Sequence, residues 1–330
     1  MDEVLSSVDS YRNIEITVLY GGVSDERSVA LSSGRALATA LRRYFRVVTI
    51  DLTEAEVPSD LRGESTVVFP ALHGAFGEDG QLQALLEARG IVYAGSDSLA
   101  SRLCMDKPAA KERVAAAGVR VAQGVEFEVK RGTDVASVTQ FGERFVVKPA
   151  EGGSSLGLHQ GLCPKRLESL LPVLPKGRWM VETHIRGREI TVGVLEGQAL
   201  GLVEVIPYGD GVYDFEHKYI QGLTDYRFPA VVSSRIEAEI KWSAERAFAV
   251  CGCRDFARVD FILSEAGECY FLEINTLPGL TETSLMPRSA ACQGWDFTAL
   301  CVRLMWPALQ RFQQTIHGSS VPQKDTSNAG

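Results

Sequence analysis

Apolar and polar positions alternate over residues 14–20 (IEITVLY), which predicts a β-strand that Gly21-Gly22 then breaks. Residues 28–44 carry apolar positions at helical spacing. Short β-rich runs at 47–52, 66–70 and 91–93 predict further strands, and residues 81–89 predict a helix. Strands alternating with helices over 14–102 predict an α/β unit with a doubly wound, mainly parallel sheet of Rossmann-like type. Gly21-Gly22 does not make the G-x-G-x-x-G fingerprint, so no dinucleotide site follows from it.

The texture then changes to an α+β pattern. A helix over 106–117, strands over 125–129 and 145–148 and a glycine-rich stretch at 151–157 outline a second region, 103–180. A third region, 181–316, holds strands over 189–195 and 200–206, an irregular segment at 207–229, a helix over 235–251 and a hairpin over 257–275. Its last helix, over 296–312, contains Pro307, which is expected to kink or break it. Residues 1–13 are polar and expected to be loose. Residues 317–330 show no apolar period and are expected to form a disordered tail.

Composition removes several classes of function. With 330 residues, 45% of them hydrophobic, the chain buries a real core and has room for two or three domains. It holds no apolar run of about 18 residues, the length a membrane span needs. The 34 Lys+Arg against 42 Asp+Glu give a formal charge of −8, which provides no general attraction to nucleic acid or anionic lipid. Seven cysteines without a C-x-x-C pair argue against a disulfide framework or a structural zinc site. The acidic start lacks the apolar region of a signal peptide, so a reducing cytoplasm is the expected location.

The most informative stretch is ARVDFILSEAGECYFLEINTLPG, residues 257–279. A two-residue loop at Ala266-Gly267 sets Asp260 opposite Glu273 and Arg258 opposite Asn275, with all four side chains on one face. Val259, Phe261, Leu272 and Ile274 then point into a core. Facing carboxylates repel and call for a cation; Asp, Glu and Asn oxygens suit Mg²⁺. A solvated face with Arg258 neutralising one acid is the alternative. A three-residue loop would shift the register and undo the pairing.

Two motifs compete for the second informative stretch, KPAEGGSSLG at 148–157. Backbone N–H groups of such a loop cradle phosphate, with Lys148 beside it, although Leu158-His159 replaces the Lys-Ser/Thr of a P-loop. The same letters contain G-x-S-x-G, which would make Ser155 the nucleophile of a serine hydrolase; that elbow must lead into a helix, and Leu-His-Gln-Gly is a poor helix start.

Taken in order, GGVSDER (21–27), HGAFGEDGQLQ (73–83), MDK (105–107), the 148–157 loop, YDFEHKY (213–219) and the 258–279 hairpin resemble the D-alanine–D-alanine ligases of the ATP-grasp superfamily, from about Ile16 to Leu309. The resemblance implies an ATP-grasp fold of three domains (14–102, 103–180 and 181–316) with ATP between the second and third. It implies ATP-driven joining of two D-alanines through a D-alanyl phosphate, for peptidoglycan synthesis, by a cytoplasmic homodimer. Lys107 and Lys148 match lysines on the α- and β-phosphates, and Lys218 one near the γ-phosphate. Ser154 and Ser155 fall in the phosphate loop. Glu182, Thr183 and Ile185 match the adenine hinge, and Glu189 the ribose-binding acid. Asp260, Glu273 and Asn275 match the ligands of two Mg²⁺ (or Mn²⁺) ions. Glu26, linked with Ser154 and Tyr219, matches the carboxylate on the first substrate's ammonium, and His73 lies in the same pocket. Arg258 and the Gly279 N–H match oxyanion donors. Ser284 and Leu285 match the second substrate's carboxylate site, and the 207–229 segment a lid.

Three departures from the family pattern stand out. Ala30 replaces a common serine, Asp255 adds a charge near the acidic hairpin, and Glu151 puts an acid into the phosphate loop. Sister ligases that join D-alanine to D-serine or D-lactate are the near alternative, and Tyr219 argues against the lactate version. A nucleotide-binding protein without turnover is a further one, opposed by the intact Lys148, Arg258, Asp260, Glu273 and Asn275.

Overall fold

The computed structural model describes residue 4 and residues 7–129, 142–153, 156–209 and 222–318. Three sheets organise them. The first is parallel, in the order β2-β1-β3, from β1 (Glu15–Gly21), β2 (Arg46–Leu52) and β3 (Thr66–Ala71). The run at 91–93 contributes only a parallel bridge, Val68 to Tyr93, at its edge. All six residues of β3 are buried, as expected of a parallel strand covered on both faces. Helix α1 (Arg27–Leu41) packs directly on β1, and a Cβ added at Gly34 would sit 2.3 Å from the Cβ of Tyr20. Helix α2 (Gln81–Ala88) covers the other face, where Leu82 and Leu86 meet Leu19, Val68 and Leu72.

Helices α3 (Ser98–Met105) and α4 (Lys107–Ala116) follow back to back. Asp97 and Asp106 cap them by accepting from the N–H groups of Ala100 and Ala109. The reading from sequence anticipated α4 and passed over α3.

The second sheet is antiparallel, β4-β7-β5-β6, from β4 (Gly124–Glu128), β5 (Phe145–Pro149), β6 (His159–Leu162) and β7 (Arg178–Thr183). Helix α5 (Pro164–Leu170) closes its small core of Phe145, Val147, Leu167, Trp179 and Val181.

The third sheet, also antiparallel, runs β10-β9-β8-β11-β12, from β8 (Gly187–Leu195), β9 (Gln198–Pro207), β10 (Thr224–Arg227), β11 (Phe256–Ser264) and β12 (Cys269–Asn275). Helix α6 (Ser234–Val250) packs on it through Ile240, Ala244, Ala247 and Phe248. Helices α7 (Leu285–Ala291) and α8 (Phe297–Gly318) complete the chain's described part.

Several expectations change. Helix α8 runs through Pro307 without ending. Leu304, Met305, Ala308, Leu309 and Phe312 are all buried around the proline, so packing on both sides outweighs the one lost backbone bond. The helix reaches Gly318, two residues into the expected tail; residues 319–330 lie outside the described residues. The segment 1–13 is not wholly loose. A 3-10 turn at Val8–Tyr11 buries Val8, and the Tyr11 ring meets Trp306 edge-on at 4.9 Å. In the 207–229 segment, β10 pairs with β9, while 210–221 lie outside the described residues.

The hairpin register holds for an unexpected reason. The turn is longer than two residues: Ser264 N donates to Glu268 O, and Gly267 takes a φ of 77°. A bulge in β12 opposite Asp260 and Phe261 then restores the pairing of Asp260 with Glu273 and Arg258 with Asn275. The bulge redirects one side chain. Phe271 goes into the core, and Leu272, expected there, lines a cleft instead.

Candidate active site

Two clefts meet above the hairpin. The first, about 960 Å³, lies between the second and third sheets and is lined among others by Lys107, Lys148, Glu182, Glu189, Asp260 and Glu273. Thr183, Ile185 and Leu272 form part of the same wall. The second, about 1560 Å³, is lined by Glu26, His73, Arg258, Asn275, Gly279 and Ser284, with Leu285 beside them. Lys107, Gly152, Gly153 and Glu273 line both, so the two clefts adjoin at these residues.

In the first cleft, Lys148 Nζ donates to Glu182 Oε1 at 2.7 Å. Lys111, which the sequence reading missed, places its ammonium 2.7 Å from Glu182 Oε2. Burial disfavours the Glu182 carboxylate, but the two lysines overcome it and hold its pKa at about 2. Burial pushes the Lys111 ammonium down to about 8, against the pull of Glu182 and with the repulsion of Lys148. A signal for Lys111 was present: Lys107 and Lys111 stand four apart on α4, and like charges so placed repel unless an acid faces them. Lys107 Nζ donates to the Gly152 carbonyl and lies 3.9 Å from Glu273 Oε2.

The departing acids are neutralised locally. Arg178 pairs with Glu151 at 2.6 Å, Asp106 at 2.8 Å and Glu126 at 2.5 Å, so Glu151 does not face the cleft as a bare charge. Asp255, in the left-handed region at φ 59°, accepts both arms of Arg311 and the N–H of Gly95. It joins the first sheet's edge to α8 and adds nothing to the hairpin's charged face. Ala30 is fully buried in α1.

At the junction, Arg258 grips Asp260 with Nε at 2.9 Å and Nη2 at 2.8 Å. The Thr191 hydroxyl also donates to Asp260. Asn275 Oδ1 accepts from Leu277 N at 3.2 Å. Among the described residues, no three His, Cys, Asp or Glu side chains converge as a metal cage. Two carboxylates and an amide oxygen on one face nevertheless suit a hard divalent cation that completes its shell with phosphate oxygens.

In the second cleft, His73 uses both ring nitrogens. Its Nδ1 lies 3.1 Å from the Leu277 carbonyl, which only accepts, so Nδ1 carries the proton. Nε2 then accepts from Ser33 Oγ at 3.1 Å, and Ser33 Oγ accepts from Leu280 N. Burial lowers the His73 pKa in spite of nearby Glu26, which keeps the ring neutral. Glu26 is buried, and its carboxylate lies over Gly153. Glu78, within the HG-x-x-GEDG block, has no cation in contact among the described residues. Burial and then Glu26 push its pKa up to about 8, although Gly74 N donates to it at 2.6 Å. The Ser284 hydroxyl lies 2.8 Å from Thr281 Oγ1. Tyr226, on β10, lines this cleft and was also missed.

The structure therefore brings together Glu26, His73, Lys107, Lys148, Glu182, Thr183, Ile185, Glu189, Arg258, Asp260, Glu273, Asn275, Gly279, Ser284 and Leu285 around two joined clefts. Ser154, Ser155, Lys218 and Tyr219 lie outside the described residues. The serine-hydrolase alternative loses its footing, because Gly157 is followed by strand β6 where a nucleophile elbow needs a helix.

Two antiparallel sheets closing on a cleft with buried lysines on one jaw and a carboxylate hairpin on the other define an ATP-grasp enzyme. The family description "D-ala D-ala ligase C-terminus" matches residues 116–306, and "D-ala D-ala ligase N-terminus" matches residues 55–96. A D-alanine–D-alanine ligase of Citrifermentans bemidjiense is 40% identical over 92% of this chain and 98% of its own. One from Agrobacterium fabrum is 43% identical over 86% and 94%. The ATP complex of D-alanine–D-alanine ligase from Bacillus anthracis superposes with a TM-score of 0.78 at 27% identity, over 92% of this chain and 99% of that one. The VanG D-Ala:D-Ser ligase of Enterococcus faecalis does so at 0.76 and 26%, over 90% and 99%. The chain belongs to the D-alanine–D-alanine ligase family.

Proposed function

We infer that this protein joins two D-alanine molecules at the expense of ATP, forming D-alanyl-D-alanine for peptidoglycan synthesis. The junction of the two clefts at Lys107 and Glu273, beside Arg258, carries this reading, because a nucleotide in the first cleft and an amino acid in the second would meet there. Carboxylate is a poor acyl donor, since oxide would have to leave. Attack of its oxygen on the γ-phosphorus expels ADP and makes an acyl phosphate. The amine of the second D-alanine then attacks the carbonyl carbon, and the carbon–oxygen bond to phosphate breaks.

Each side chain has a part. Lys107 and Lys148 offset phosphate charge, with Lys218 and the Ser154–Ser155 loop assigned by family likeness. Thr183 and Ile185 take the adenine and Glu189 the ribose. Glu26 holds the first ammonium, linked with Ser154 and Tyr219, and neutral His73 lines its pocket. Arg258 and the Gly279 N–H stabilise the oxyanion of the tetrahedral intermediate. Ser284 and Leu285 receive the second carboxylate. Asp260, Glu273 and Asn275 would hold Mg²⁺ or Mn²⁺ ions, which would supply the positive charge needed for two anions to meet. The proposed division into domains at 14–102, 103–180 and 181–316 is supported by the presence of three separate sheets, although β7 of the second sheet runs across the 180/181 boundary. A cytoplasmic homodimer is the family's expectation for the assembly.

The test is phosphate release from ATP with D-alanine, L-alanine, D-serine or D-lactate, together with product mass. D-alanine alone should support release and yield the dipeptide. Release that depends on D-serine or D-lactate as the second substrate would move the protein to a sister ligase, and no D-alanine-dependent release would remove the reading altogether.

A further inference from the structure

Lys111 does not line either cleft, yet it touches both jaws of the first. It is 5% exposed, and its ammonium donates to the Phe271 carbonyl in β12 at 3.1 Å. The same nitrogen lies 2.7 Å from Glu182 Oε2 in β7. Strand β12 belongs to the third sheet and β7 to the second, so one side chain ties the two sheets across the base of the cleft. The opposite oxygen of Glu182 holds Lys148, which does line the cleft.

The charge count gives this tie a second consequence. Lys148 and Glu182 alone are a neutral pair, and an incoming phosphate would compete with Glu182 for the Lys148 ammonium. With Lys111 present, two ammoniums share one carboxylate, and a formal positive charge is left over in a buried cluster beside the cleft. In a poorly screened interior such a surplus favours an anion next to it.

We propose that Lys111 is a positioning residue for the nucleotide: it neutralises half of Glu182 so that Lys148 can serve a phosphate, and it sets the spacing of the two jaws. The proposal rests on the first cleft being the nucleotide site. It assigns Lys111 an effect on the nucleotide's phosphates that should not extend to its base and ribose.

The experiment compares wild type, Lys111→Met, Lys111→Gln and Lys111→Arg. ADP and uncharged adenosine are titrated calorimetrically, and KM and kcat are measured with ATP. Lys111→Met should weaken ADP roughly tenfold, raise KM for ATP similarly and leave kcat within about threefold, with adenosine nearly unchanged. Lys111→Arg should recover most of the ADP affinity. Lys111→Gln supplies a polar amide donor on a side chain one bond shorter, without the charge. It should lose ADP affinity like the Met variant, and it decides the matter if the Met variant does not fold. Equal losses for ADP and adenosine would make Lys111 purely structural and overturn the proposal, as would an unchanged ADP affinity in the Gln variant. Failure of the wild type to bind ADP would instead remove the nucleotide reading itself.

Discussion

Glu182 in the first cleft and Glu78 in the second are both buried carboxylates, 2% and 8% exposed, and they are driven in opposite directions. Burial pushes each towards the neutral acid. Glu182 has an ammonium at 2.7 Å on either oxygen and is held at about 2. Glu78 has a backbone N–H at 2.6 Å, with Glu26 and Glu273 adding repulsion, and rises to about 8. Burial alone does not decide the charge of an active-site acid; a cation in contact does. The Lys111–Glu182–Lys148 cluster beside the first cleft is thus built to stay charged. The second cleft holds one acid close to neutrality at physiological pH.

Removing the charge of Glu182 is expected to break this contrast most severely. Glu182→Gln leaves two buried ammoniums without their counter-ion and should cost about 3–5 kcal/mol, read from urea unfolding. Its linkage has a definite sign. Glu182 contributes stability above its unfolded pKa of 4.5, and that contribution fades as pH falls towards about 2. The variant's deficit should therefore shrink in acid.

Asp260 extends the comparison to the junction, where a buried carboxylate is again paired, this time with Arg258. Arg258→Ala strips that partner and the proposed oxyanion donor together. It should lower kcat by about a hundred- to a thousandfold in the phosphate-release assay. A loss in KM alone would assign Arg258 to binding only.

Glu78→Gln should act in the opposite sense to Glu182→Gln. The folded pKa of Glu78 lies above its unfolded 4.5, so the wild type loses stability at this site as pH rises from 4.5 through about 8. The variant removes that slope. Chemical unfolding at pH 5 and pH 8 should show it gaining on the wild type at the higher pH.

The rim of the first cleft gives the smallest effect. Arg178 faces three carboxylates but is 42% exposed. Surface pairs of this kind contribute about 0–1 kcal/mol, so Arg178→Ala should shift the thermal midpoint by only a few degrees.

Legibility in the sequence followed the kind of interaction involved. The hairpin face was readable because strand periodicity is local, and Arg258, Asp260, Glu273 and Asn275 share a face as expected. The path to it was not readable: a longer turn and a bulge compensate each other, and only packing selects Phe271 over Leu272 for the core. Pro307 misled for the same reason, because burial of α8 is a tertiary effect. Helix α3 was passed over because it spans only eight residues, and its start depends on the Asp97 side chain accepting from the Ala100 N–H. The site residues came from ordered motif blocks, which say nothing of partners supplied by distant elements. Ser33, Thr191 and Arg311 each meet their partner 40 or more residues away, and no local pattern marks them.

The central claim is that a D-alanine carboxylate, activated by phosphoryl transfer at the junction of the two clefts, becomes the acyl donor. It is tested most directly with D-alanine labelled with ¹⁸O in the carboxylate. The acyl-phosphate route carries one carboxylate oxygen into the released phosphate, so mass spectrometry should find one ¹⁸O per phosphate formed alongside the dipeptide. Phosphate free of label, released at the rate of dipeptide formation, would contradict the account.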